Sequence, residues 1–246
     1  MRLKDKIAVI TGSGRGIGKA IADVFAEEGA YVVLVDRSGS DAAANEILQK
    51  GLKAEGMDLD ITDPAAVKAG IDGLLQRKGK IDILVNNAGI ISREAFVDLS
   101  YETWNKILDV NVNGNFNMCK AIIPSMIDRH YGKIVNISSI AGKMGDITAS
   151  AAYGTSKGAV NAFTKSLARQ LAQHSINVNA VAPHAIETDM SAQWPKEKRE
   201  NVLSGIPLHR MGSSKEVAYA SLFLASDEAA FITGEILNLN GGALMD

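Results

Sequence analysis

A chain of 246 residues, 46% hydrophobic and 22% charged, with a formal net charge of −2, is long enough to bury a sizeable core and has an ordinary globular composition. The balanced charge offers no basic excess for nucleic acid, and the longest apolar runs fall far short of a membrane span. Met1 to Lys6 run straight into an apolar strand without a signal-peptide core, and the lone Cys119 can form no internal disulfide, so a cytoplasmic protein is expected.

Along the chain, apolar runs of strand length alternate with amphipathic runs of helix length. Lys6 to Thr11 reads as a strand, and Gly16 to Glu28 as a helix stopped by Gly29. Tyr31 to Asp36 is a second strand, followed by a helix from Asp41 to Lys50 that Gly51 ends. A short third strand covers Lys53 to Asp58, and Pro64, suited to a first helical turn, opens another helix. Ile81 to Asn86 is the fourth strand, with helices around Tyr101 to Val112 and onward to Arg129. Lys133 to Ser138 is the fifth strand, Ala152 to Gln173 a long helix, and Asn177 to Ala182 the sixth strand. Ser214 to Ala225 reads as a helix and Glu235 to Leu239 as the last strand. This alternation predicts an α/β fold: one Rossmann-type, doubly wound parallel sheet of about seven strands, with helices on both faces. All of 1–246 forms a single domain in this reading, and right-handed crossovers put the ligand at the carboxyl ends of the strands.

Three groups of residues carry candidate chemistry. Thr11-Gly12-Ser13-Gly14-Arg15-Gly16-Ile17-Gly18 joins the first strand to the first helix, where glycines permit a tight turn and a close approach to a pyrophosphate. A P-loop is excluded, because Ser13 stands where its first glycine is needed and Ala20 follows Lys19. Asp36 ends the second strand, where a dinucleotide fold places a carboxylate on the adenosine ribose and where it would repel a 2′-phosphate. NAD is therefore favoured over NADP, although Arg15 and Arg37 could pair with a phosphate. Tyr153 and Lys157, spaced i, i+4 on one helix face, bring an ammonium to a phenol. A positive charge there favours the phenolate and brings its pKa toward a useful range.

With these motifs on one chain, the sequence resembles the short-chain dehydrogenase/reductase family essentially end to end. The family's Asn-Asn-Ala-Gly segment stands as Asn86-Asn87-Ala88-Gly89, its helix asparagine as Asn111, and its serine as Ser139, 14 residues before Tyr153. The resemblance implies that Tyr153 exchanges a proton with the substrate oxygen while a nicotinamide exchanges a hydride with the carbon. It further implies that Lys157 lowers the tyrosine pKa and bonds the nicotinamide ribose, that Ser139 holds the substrate oxygen, and that Asn111 binds a water leading to solvent. Ser138 competes with Ser139 for the serine role, with Ser139 favoured by the following Ile140-Ala141-Gly142. Asp60 and Ile61 match adenine-contacting positions, and Asn87, Ala88 and Gly89 the cofactor cleft. Pro183, Ile186 and Thr188 match the segment that reaches the nicotinamide carboxamide, with His184 replacing the family's glycine. His184 either touches substrate or points to solvent.

Within the family the likeness is greatest to bacterial 3-oxoacyl-acyl-carrier-protein reductases, carried by Ile186 to Met190, Leu224 to Glu235 and Asn240-Gly241-Gly242. Those reductases generally use NADPH, against the reading of Asp36. They also present arginines to an acidic carrier protein where His130 and His174 stand here, so carrier binding is a weaker expectation. Two substrate classes follow: a 3-oxoacyl thioester, or a sugar, polyol or similar small alcohol. A dinucleotide-binding regulator without chemistry is a remote alternative, since all four catalytic positions are filled. The resemblance implies a homotetramer built on the helices around Tyr101 to Arg129 and Ala152 to Gln173, with the C-terminal segment at a second interface. Residues 189–211 fall where the family has a substrate lid, with Met190 and Trp194 as the candidates for touching substrate. No metal is expected, because His130, His174, His184 and His209 lack ligand spacing.

Overall fold

The computed structural model of the protein describes residues 1–145, 148–187 and 196–246. Its centre is a seven-stranded parallel sheet of β1 (Ile7–Thr11), β2 (Tyr31–Asp36), β3 (Ala54–Asp58), β4 (Ile83–Asn86), β5 (Gly132–Ile137), β6 (Ile176–Pro183) and β9 (Ile236–Leu239). The order across the sheet is β3-β2-β1-β4-β5-β6-β9, so the direction of winding reverses between β1 and β4. A crevice opens at the carboxyl ends of the strands at such a reversal. The connecting helices are α1 (Gly16–Glu27), α2 (Ser40–Gln49), α3 (Pro64–Lys78), α4 (Tyr101–Leu108), α5 (Gly114–Asp128), α6 (Ala141–Met144), α7 (Ala151–Leu171), α8 (Lys196–Ser204) and α9 (Ser214–Ala225).

Strands covered on both faces must be apolar at successive positions. In β1 all five residues are buried, with Ala8 and Ile10 in one core layer and Ile7 and Val9 in the other. In β2, Val32 and Leu34 join the first layer and Val33 and Val35 the second. The first layer receives Phe25 of α1, Ile47 of α2 and Leu222 of α9; the second receives Ile71 of α3, Ile122 of α5 and Leu171 of α7. Local signals set the helix starts. Asp63 caps α3 by accepting from the amides of Ala65 and Ala66 ahead of Pro64, and Ser213 forms a reciprocal capping box with Glu216 at α9.

Most of the expected elements form with ends displaced by one or two residues, and several features were not foreseen. A two-stranded sheet pairs β7 (Ile186–Glu187) with β8 (Gly212–Ser213). The one-turn helix α6 follows Ser139. The segment Asp109–Asn113 between α4 and α5 is π-helical, with the Gly114 amide bonded to the Asp109 carbonyl. The long helix gives way to a 3-10 turn at Ala172–His174. Thr188 and the first part of the expected lid, including Met190 and Trp194, lie outside the described residues.

At the amino ends of the strands, Asp82 ties three elements together. Its carboxylate accepts from the Ile7 amide at 2.9 Å and pairs with Lys80 and Arg129 at 2.9 Å each, while its side chain is only 3% exposed. Arg129 also donates to the Ile81 carbonyl. Removing the Asp82 carboxylate leaves the buried Ile7 amide without this acceptor, while Lys80 and Arg129 keep access to water. Asp82→Ala should therefore lower unfolding free energy by about 2 kcal/mol, measured by denaturant titration.

Candidate active site

The crevice begins at the turn after β1. Gly12 has a φ of +63°, and a Cβ there would lie 2.7 Å from the Ala88 Cα. A Cβ on Gly18 would lie 2.2 Å from the Gly12 carbonyl oxygen, so the turn and the first turn of α1 are in direct backbone contact. Asn87 locks this approach by donating its side-chain amide to the Thr11 and Gly12 carbonyls, both at 2.9 Å. The Thr11 hydroxyl in turn accepts from the amides of Asn87 and Ala88, each at 3.0 Å. Arg15 and Gly16 are exposed at the α1 N-terminus, whose first turn holds no acidic residue, while Ile17 packs toward the core. This is a cradle open to an anion.

At the end of β2, the Asp36 carboxylate accepts from the Gly14 amide at 3.0 Å and from the Arg37 amide at 2.8 Å. Gly14, Arg15, Asp36, Arg37 and Ser38 line a hollow of about 440 Å³. Arg15 and Arg37 form no ion pair among the described residues. The glycine cradle and this carboxylate-bearing hollow fit the pyrophosphate and adenosine ends of a dinucleotide. Asp60 bonds the Thr62 amide and hydroxyl, which holds its carboxyl below the usual range. Ile61 is buried with its side chain against Gly114 and its carbonyl accepts from the Asn117 side chain at 2.9 Å, so its amide is the group that remains for a ligand.

The second half of the crevice lies where β4, β5 and β6 end. Asn111 is fully buried, accepting from the Ile90 amide at 2.8 Å and donating to the Ile90 carbonyl at 3.0 Å and to the Ser156 hydroxyl at 2.9 Å. Ser156 passes a hydrogen bond to the Tyr153 carbonyl. The Lys157 Nζ donates to the Ile137 carbonyl at 2.7 Å and lies 5.8 Å from the centre of the half-buried Tyr153 ring. A Cβ on Gly89 would lie 3.2 Å from the Asn111 Oδ1 and 3.6 Å from the Lys157 Nζ, which brings these three residues together. The Ser139 Oγ accepts from the Ala141 amide at 3.1 Å, leaving its proton free to donate elsewhere. Ser138 is committed to packing, because its hydroxyl donates to the Asn161 Oδ1 at 2.6 Å. Pro183 accepts from the Ile140 amide, which sets the end of β6 beside Ser139, and Ile186 is buried in the β7–β8 ribbon.

Sequence reasoning passed over Thr11, Ser156 and Asn161, which orient the turn, Asn111 and Ser138. The signal was available for two of them: Ser156 and Asn161, like Thr164, are polar residues on the buried face of α7. Among the described residues, no group of three or more His, Cys, Asp or Glu side chains is arranged to hold a metal ion, and no helix is long and apolar enough to cross a membrane.

Lys157 is 4% exposed, and burial pushes its ammonium down to about 8. Between that value and the ordinary 10.5, the unfolded chain binds a proton that the folded chain releases, so stability from this group rises with pH across that window. The cofactor-free wild type should therefore gain stability relative to Lys157→Met between pH 8 and 10.5. Lysine ¹³Cε NMR should show one resonance titrating near 8; titration of every lysine above 10 would refute the burial effect.

A family profile described as Enoyl-(Acyl carrier protein) reductase matches residues 12–243. The chain is 40% identical over 247 aligned positions to the 3-oxoacyl-[acyl-carrier-protein] reductase FabG of Escherichia coli, covering 100% of both chains. It is 41% identical to the FabG of Thermotoga maritima, again over 100% of each. The crystal structure of a 3-oxoacyl-[acyl-carrier protein] reductase from Brucella melitensis superposes with a TM-score of 0.95 at 35% identity, covering 100% of this chain and 93% of that one. Profile, relatives and superposition span the same cradle and crevice, and the chain belongs to the short-chain dehydrogenase/reductase family of nicotinamide-dependent oxidoreductases.

Proposed function

We propose that the protein reduces the ketone of a 3-oxoacyl thioester to a secondary alcohol. The observation that carries this reading is the cluster of Ser139, Tyr153, Lys157 and Asn111 beside Gly89, together with full-length identity of about 40% to reductases named for that substrate. A bound nicotinamide dinucleotide supplies the hydride. Gly12, Gly14, Gly16 and Gly18 would admit its pyrophosphate, Asp36 its adenosine ribose, and Lys157 its nicotinamide ribose. Ala88, Gly89, Pro183, Ile186 and Thr188 would complete the cleft.

In the proposed chemistry, the Ser139 hydroxyl donates to the ketone oxygen and Tyr153 gives it a proton. Lys157 has no carboxylate partner among the described residues, so its charge acts on the nearby phenol without internal neutralisation. Asn111 holds the path by which the pair regains its proton. NAD is the proposed partner in preference to NADP, since the Asp36 carboxylate is fixed by two amides where a ribose phosphate would stand. The free Arg15 and Arg37 make that preference one of degree.

The small-alcohol reading is kept by the same Asp36, because NAD commonly serves oxidation. We also place the protein in the cytoplasm, as a homotetramer. The exposed Tyr101 and Phe116 supply apolar surface on the α4–α5 side. A carrier protein has a weaker hold in this proposal: the rings of His130 and His174 stand 5.9 Å apart where arginines are expected.

Acetoacetyl thioester, a trans-2-enoyl thioester and a polyol panel should be assayed with NAD(H) and NADP(H) in both directions. The expected result is turnover of the oxoacyl thioester; turnover confined to polyols would move the assignment. Tyr153→Phe should lower kcat by about 10³-fold while NADH still binds. Asp36→Ala should shift the cofactor ratio of kcat/KM by about tenfold toward NADPH, or ~1.4 kcal/mol. A wild type that already prefers NADPH would overturn the Asp36 assignment.

A further inference from the structure

Ser139 is held by the segment that follows it. Its Oγ accepts from the Ala141 amide, so the position of the hydroxyl depends on the one-turn helix α6. Four residues cannot sustain a helix by themselves, because nucleation costs more than so few hydrogen bonds return. The turn must therefore be fixed by what it touches. On one side the Asn161 side chain donates to the Gly142 carbonyl at 3.1 Å. Gly142 lies so close to α7 that a Cβ would come 2.5 Å from the Lys157 carbonyl carbon. On a second side the Ile140 amide donates to Pro183 at 2.9 Å.

The third support is Lys143. Its ammonium donates to the Ile236 carbonyl on the edge strand β9 at 2.9 Å and to the Asp246 carboxylate at 3.1 Å. Its side chain is 14% exposed, so the contact is shielded on the lysine side. Asp246 is in turn held by the Asn238 side chain. β9 is itself fixed through four register pairs to β6.

We infer that Lys143 is a positioning residue: by tying α6 to β9 it fixes the Ser139 hydroxyl at the mouth of the crevice. The inference rests on the proposed role of Ser139 in ketone reduction. Its physical basis is independent of turnover, since it concerns the rigidity of four residues. The Ile236 carbonyl is the main anchor, because Asp246 is exposed and its pairing is screened by salt. Loss of Lys143 should therefore matter more than loss of Asp246.

Three variants test this: Lys143→Met, which keeps the aliphatic stem, Lys143→Arg, which keeps the charge and donors, and Asp246→Asn. Hydrogen exchange by mass spectrometry should show faster exchange in the peptide spanning 137–145 for Lys143→Met, with the rest of the sheet unchanged. Its kcat should fall about tenfold with the NADH Kd and the melting temperature unchanged, Lys143→Arg should recover most of the loss, and Asp246→Asn should cost no more than threefold. Unchanged exchange in 137–145 would overturn the inference, as would a Lys143→Met kcat within twofold of the wild type. A parallel fall in melting temperature and NADH binding would also overturn it, by showing a general brace. If the wild type itself reduces no ketone, the proposed function fails and the exchange result alone decides the tether.

Discussion

The crevice depends on one costly placement, a lysine ammonium buried at the carboxyl end of β5 with a backbone carbonyl as its fixed acceptor. Desolvation opposes the charge, and among the described residues no carboxylate pairs with it. The rest of the site is arranged around that fact. α7 must pack tightly enough to hold the side chain in, which the close contact between Gly142 and the Lys157 backbone allows. Glycine at 89 keeps the Asn111 amide oxygen uncrowded, since a Cβ there would press on it at 3.2 Å while touching the Lys157 ammonium at 3.6 Å. The cost is spread over a large sheet with two well-filled core layers, so local strain at the strand ends is tolerated.

The glycine-turn side of the crevice solves a different problem. It brings two backbone segments, the turn after β1 and the segment after β4, into contact at a point where side chains have no room. Across that contact Asn87 donates its side-chain amide to the Thr11 and Gly12 carbonyls, and the Thr11 hydroxyl accepts from the Asn87 and Ala88 amides, which satisfies groups the sheet can no longer pair. The turn is thereby preorganised, and binding does not have to order it.

Much of this was legible in the sequence. Strand and helix order followed from period and length, since strands covered on both faces read as continuous apolar runs, and the glycine turn followed from backbone sterics. Tyr153 and Lys157 stood out by their i, i+4 spacing, whereas Asn111 and Ser139 were named from motif likeness and could not have been derived from local pattern alone. The β7–β8 ribbon was not legible, because two-residue strands carry no periodicity and arise only when Gly212 comes to lie against Ile186. The one-turn α6 was invisible for the same reason: its supports come from residues 19 to 103 positions away. Ser138 and Ser139 are adjacent, and only their different partners separate them.

The π-helical stretch at Asp109–Asn113 has a consequence for how the chain tolerates change in length. Widening one turn takes up a single extra residue without breaking the helical column. Each residue of an α-helix turns the next by about 100°, so that one residue decides which way everything before it faces relative to everything after it. Asn111 lies inside the widened turn and reaches inward, while α5 beyond keeps Met118, Ile122 and Met126 on the core. A one-residue deletion here would let the column close into regular α-helix. The asparagine and the apolar stripe would then compete for a single direction, with the larger apolar area holding its place. The extra residue is what lets one helix serve a polar site and a dry core together.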